Sequence, residues 1–262
     1  MGRVFAVFAS ILLVAAVADA ADDPLVRART LYNDRQFAAA LVAAEQARLV
    51  PAQAAAADLV AARAYLERYR SSAGADDLAS ARDRLGRIDP RRFPARERME
   101  YLVGLGETLY FDGSYGGAAA VFDAVLAGDG LPTGDARERV LDWWATAVDR
   151  DAGSRVEADR PAAYRRIRVR TEGELATHPS SGAAAYWMAA AARLQGDARA
   201  AWAAAQAGWV RSPLVGDGGA TVRADLDHLV QVAVLPDLAR ATAQSQDALR
   251  AQWEQFKENW KR

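Results

Sequence analysis

The chain reads as an all-α protein built from a row of short helical hairpins. Apolar residues recur at three- and four-residue steps, the period of a helix with one buried face. The periodic runs come in pairs, split by tight-turn signals such as Asn33-Asp34, Asp112-Gly113 and Gly196-Asp197. The pairs repeat along the chain, and a lone hairpin cannot bury its own apolar faces, so each needs neighbours.

The stretch from Arg98 to Leu126 states the pattern most fully. Leu102, Leu105 and Leu109 share one helical face, and Gly106 beside Leu105 lets a neighbouring helix come close. After the Asp112-Gly113 turn, Tyr115, Ala118, Phe122 and Val125 mark a second face. These residues resemble the signature of the tetratricopeptide repeat, about 34 residues with a W-x₂-L-G-x₂-Y…A-x₃-F…P pattern. Leu102 takes the first large position, Leu105-Gly106 the L-G pair, Leu109 the tyrosine position, and Ala118 with Phe122 the A-x₃-F. The closing proline is delayed to Pro132, which implies a longer loop.

Taken in order, Met1 to Ala20 read as an export signal. Arg3 precedes an apolar run from Val4 to Ala18, shorter than a comfortable membrane span, and Ala18-Asp19-Ala20 fits a small-x-small cleavage site. The competing reading is an uncleaved anchor. A first hairpin follows, with Leu31 and Tyr32 before the Asn33-Asp34 turn and Phe37, Ala40, Leu41, Ala44 and Ala47 after it, up to Pro51. In the second, Leu59, Ala62, Tyr65, Leu66 and Tyr69 share one face; a stretched turn from Ser71 to Gly74 leads to Leu78, Ala81, Leu85 and Ile88.

Beyond the third unit, Thr133 or Asp135 is available to cap a helix over Ala136 to Arg150. That helix carries Val140, Trp143, Trp144 and Ala147. Adjacent tryptophans diverge by about 100° on a helix, so one fills a core while the other faces a groove or the next layer. Its partner, with Tyr164, Ile167 and Leu175, completes a degenerate fourth unit. In the fifth, Ala185, Met188, Ala189 and Ala192 stand at the signature positions, Gly196-Asp197 turns the chain, Ala201 and Ala205 follow, and Pro213 closes. The glycine-rich loop from Val215 to Ala220 lacks the GxxxxGK[ST] arrangement of a phosphate loop. A capping helix carries Leu226, Leu229, Val230 and Val234 up to an interruption at Pro236. The tail presents Leu249, Trp253, Phe256 and Trp260 as a stripe, which caps the last repeat or docks on a partner or membrane surface. The domains are thus an export segment over 1–20, a repeat domain over 24–235 and a C-terminal amphipathic helix over 237–262.

Composition narrows the function. The formal net charge of -1 gives no drive towards nucleic acid, and arginine dominance with abundant alanine reads as compositional bias. The absence of cysteine excludes disulfides, thiol catalysis and thiolate metal ligands. His178 and His228 lack partners at metal-ligand spacing, and His228 reads as a helix-packing residue. No catalytic, cofactor-binding or metal set emerges.

The repeat resemblance, covering Leu25 to Pro213, implies an α-α superhelix of about five hairpins whose concave face binds protein partners. It implies a non-catalytic interaction scaffold, and the export segment puts that scaffold in the cell envelope, periplasmic or secreted after cleavage near Ala20-Ala21. The alternative is a structural subunit or assembly factor of an outer-membrane, secretion or pilus complex, docked through its tail. Family position puts Tyr101, Glu107, Phe111, Tyr186 and Arg193 on the groove; Trp253 and Trp260 are the tail candidates. The expected partner is a protein or peptide, with no nucleic acid, no cofactor and no membrane span in the mature form.

Overall fold

The computed structural model describes residues 23–128, 131 and 134–261. The export segment and Thr133 lie outside the described residues. The described chain is helical throughout its regular elements and forms two compact units, dividing between Gly113 and Ser114.

The first unit holds α1 (Pro24–Asn33), α2 (Phe37–Arg48), α3 (Ala54–Ser72), α4 (Ala75–Gly86) and α5 (Ala95–Phe111). Asp23 caps α1 by accepting from the Leu25 amide, satisfying one of the orphan donors at a helix start. Each helix packs against the next, and α1, α3 and α5 also pack in series. This combination of neighbour and next-but-one contact is repeat-like. Small residues at the seam permit it: Ala28, Ala40, Ala44, Ala47, Ala57, Ala61 and Ala64 are all buried. Alanine at such positions lets helix backbones approach and exchanges side-chain volume for contact.

The stretched turn expected at Ser71–Gly74 is instead tight. The Ser71 and Ser72 hydroxyls donate to the carbonyls of Glu67 and Arg68, and α3 continues through both. Ala73, with φ of 52°, then reverses the chain. Gly104 faces Leu66 and Leu85, which a Cβ there would meet at 3.7 Å, ordinary van der Waals contact.

The second unit holds α6 (Tyr115–Ala127), α7 (Asp135–Ser154), α8 (Arg160–Thr177), α9 (Gly182–Leu194), α10 (Ala198–Arg211), α11 (Ala220–Leu229), α12 (Leu235–Thr242) and α13 (Gln246–Asn259). Pairs α6/α7, α8/α9 and α9/α10 pack closely, and α7, α9 and α11 pack in series. Ala118, Phe122, Ala189, Ala192, Ala201 and Ala205 are essentially inaccessible. Asp135 is the first residue of α7 rather than its cap; Gly134 occupies that position. Ser181 and Asp197 cap α9 and α10 through the Ala184 and Ala200 amides.

Pro236 does not interrupt the last part of the chain. Residues Val230–Val234 form a π turn, in which the Leu235 amide donates to the Val230 carbonyl five residues back. The widened turn absorbs the missing donor and the ring of Pro236, which sits at the start of α12. The real break is at Ala243, with φ of 56°. The tail is therefore two helices, and its first is continuous with the segment before Pro236.

The Ser212–Leu214 turn and the glycine loop after it close against each other. Gly219 adopts φ of 81°, and a Cβ there would stand 2.3 Å from the Ser212 carbonyl oxygen. Gly219→Ala should destabilise the second unit by about 2–3 kcal/mol in urea unfolding, because left-handed backbone and a backbone clash add. Gly216→Ala, whose Cβ would meet nothing within 4 Å, should cost much less; equal effects would refute the clash.

Candidate functional site

The first helices of successive pairs present one face in each unit, and the two faces differ in charge pairing. In the first unit α1, α3 and α5 are laced together. Arg63 donates to Glu100 at 2.6 Å, and Arg70 to Glu107 at 2.7 Å and Glu67 at 3.1 Å. Arg29 pairs with Glu97, the Tyr32 hydroxyl donates to Glu67, and the Arg63 guanidinium lies 4.3 Å from the Tyr32 ring centre. The cavity left among them is about 180 Å³. Burial pushes the Glu107 carboxyl up to about 7 against the opposing pull of Arg70. Of the residues placed on this groove from the sequence, Glu107 is buried and ion-paired. Tyr101 is half-buried against the Leu59 and Leu85 cluster, and Phe111 packs on Tyr69 at 4.9 Å.

In the second unit the corresponding helices are α7, α9 and α11, and they enclose an open groove of about 750 Å³. Trp143 and Tyr186 supply its aromatic surface, and Asp135, Glu138, Asp142, Asp217 and Asp225 its charge. Arg139 lines it as well, but none of the five carboxylates has an ion-pair partner among the described residues. Their contacts are neutral: Glu138 accepts from the Ala183 amide, Asp142 from the Trp187 indole, and Asp217 from the amides of Gly219 and Thr221. The glycine loop thus directs amides at its own aspartate. Burial, with Asp225, Asp142 and Asp149 nearby, pushes the Tyr186 hydroxyl up. Negative potential focused in a concave, aromatic-lined cleft attracts cations.

The tryptophan pair divides as helix geometry requires. Trp144 is fully buried, while Trp143 lines the groove and sits 5.8 Å from Phe122. Of the remaining candidates, Tyr186 lines the groove, whereas Arg193 is tied to Asp237 at 2.8 Å. Trp253 is 0% exposed, enclosed by Trp202, Trp209 and Phe256, and Trp260 is 50% exposed. The tail stripe therefore packs back on the second unit. His228 is exposed, not packed, and His178 sits 3.0 Å from Glu174.

Sequence reasoning missed Asp142, Asp225 and Trp143 as a set, since they converge only when α7, α9 and α11 align. A partial signal existed: Arg63/Glu100 and Arg70/Glu107 share a 37-residue spacing, marking equivalent places on α3 and α5. No such spacing supplies arginines to the acidic groove.

Among the described residues no group of three or more histidines, cysteines or carboxylates is arranged to hold a metal, and no helix is long and apolar enough to cross a membrane. Comparisons with protein-family models, with curated proteins and with solved structures find no match.

Proposed function

We propose that this chain is a non-catalytic protein-binding scaffold of tetratricopeptide-like helical pairs, acting in the cell envelope after loss of its N-terminal segment. The partner segment lies on the first helices of successive pairs, along α7, α9 and α11, and carries lysine or arginine. One observation carries this reading: five carboxylates without ionic partners among the described residues line a groove with two aromatic rings. The buried signature alanines and the serial packing of first helices support the solenoid assignment. The burial of Trp253 favours the groove over the tail as the recognition surface.

The test is fluorescence anisotropy of a labelled peptide of alternating arginine and leucine, titrated with the full chain. Tyr186→Ala and Asp225→Asn should each weaken saturable binding by about tenfold, the effect of a single well-placed interface residue. Trp260→Ala should leave it unchanged. Equal affinity in all four proteins, or no saturable binding, would overturn the groove assignment.

A further inference from the structure

A second cleft lies on different helices of the second unit and has the opposite charge. It is formed by α6, α7 and α8, with a volume of about 740 Å³. Four guanidinium groups converge on it, from Arg137, Arg165, Arg166 and Arg170, against the carboxylates of Asp123 and Glu174. Glu174 is buried, held bidentately by Arg137 at 2.6 and 2.9 Å and approached by His178 at 3.0 Å, so this carboxylate is already partnered. Of the other three, Arg166 and Arg170 share Asp123. Arg166 donates to Asp123 at 2.9 Å and Arg170 donates to its other oxygen. Arg165 has no ion-pair or hydrogen-bond partner among the described residues.

The arrangement is also pre-oriented. The Arg166 and Arg170 guanidinium carbons stand 5.5 and 5.3 Å from the Trp144 ring centre, and Trp144 is 0% exposed. An immobile indole beneath two planar cations restricts how they present their donors, which lowers the entropic cost of gripping a carboxylate. Trp144 also carries a buried indole N–H with no acceptor among the described residues. Along α8, Ala162, Val169 and Gly173 run between the arginines, and Val169 is 65% exposed. That line offers an apolar seat beside the charges.

We infer that this cleft is a binding site for an acidic peptide segment of a partner protein. Its carboxylates pair with Arg165, Arg166 and Arg170, and an apolar residue rests on Val169. Asp123 occupies the place such a carboxylate would take and acts as an internal competitor. The site shares no lining residue with the acidic groove, so it stands or falls separately from the basic-peptide reading.

The experiment is anisotropy titration of a labelled peptide of alternating glutamate and leucine with the full chain at fixed ionic strength. Arg166→Gln/Arg170→Gln should weaken binding at least tenfold, with circular dichroism and melting checked for an intact fold. Asp123→Asn should tighten binding severalfold. Asp247→Asn, the same charge change at a side chain 92% exposed on α13, should not. Equal tightening by both aspartate substitutions would reduce the effect to general charge attraction and overturn the site. So would retained affinity in the arginine variant or displacement of the peptide by inorganic phosphate at equal molar potency, which would mark a simple anion site. If the arginine variant unfolds, Arg165→Gln alone, at a side chain with no ionic partner among the described residues, must weaken binding about threefold or the inference fails.

Discussion

Replacing Trp253 with alanine should destabilise the second unit by about 3–5 kcal/mol, the range for removing a large buried aromatic ring. The side chain is wholly inaccessible and meets three rings, Trp202, Trp209 and Phe256, with centroids 5.5 to 5.6 Å away. Its indole N–H donates to Asp227 at 2.8 Å, and Lys257 donates to the same oxygen at 2.7 Å. Burial opposes ionisation of Asp227, but the hydrogen bonds from Lys257, Trp253 and Gln231 prevail and hold its carboxyl below the usual range. Loss of the indole thus opens a cavity and weakens the hydrogen bonding of a carboxylate. Urea unfolding followed by circular dichroism measures the cost. Trp260→Ala, half-exposed at the end of the same stripe, should stay within about 0.5 kcal/mol of the parent chain. A Trp253→Ala chain within about 1 kcal/mol of the parent would mean that the tail does not close the core.

That contrast also shows what was legible in the sequence. The four-three-four rhythm of Leu249, Trp253, Phe256 and Trp260 announced an apolar face. It could not say what covers that face, because Trp202, Trp209 and Leu226 come from other helices. Turn chemistry was the more local signal and gave the hairpin limits at Asn33-Asp34, Asp112-Gly113 and Gly196-Asp197. Proline was misleading at Pro236, since a π turn just before it accommodates the ring without ending the helical path. The division between Gly113 and Ser114 falls inside the stretch with the fullest repeat signature. Periodicity identifies buried faces but carries no information on how contacts distribute between neighbours. The acidic groove was equally hidden: Asp142, Tyr186 and Asp225 are far apart in sequence, and only the alignment of α7, α9 and α11 makes them one surface.

Stability of the first unit should fall as pH rises from about 4.5 to 7, and Glu107→Gln should abolish that part of the dependence. Glu107 lies buried between α3 and α5, and burial outweighs the Arg70 ion pair, raising its carboxyl from 4.5 to about 7. Glu67 adds to the rise, while Arg63 opposes it. Between these two values the folded chain holds a proton that the unfolded chain has released, so folding is favoured at the acidic end. The contribution is complete below about 4.5 and is lost as pH passes through about 7. A shift of this size corresponds to about 3 kcal/mol, most of it falling between about pH 5 and pH 8. Glutamine cannot ionise but retains an oxygen that accepts from Arg70, so it mimics the protonated acid. The expected result is near-equal stability of parent and variant at about pH 5 and an advantage of about 2–3 kcal/mol for Glu107→Gln at about pH 8. Other titrating groups are common to both proteins and cancel in the difference. If the advantage instead lay with the parent at high pH, the Arg70–Glu107 ion pair would outweigh burial, and the closed face of α1, α3 and α5 would be held together by charge.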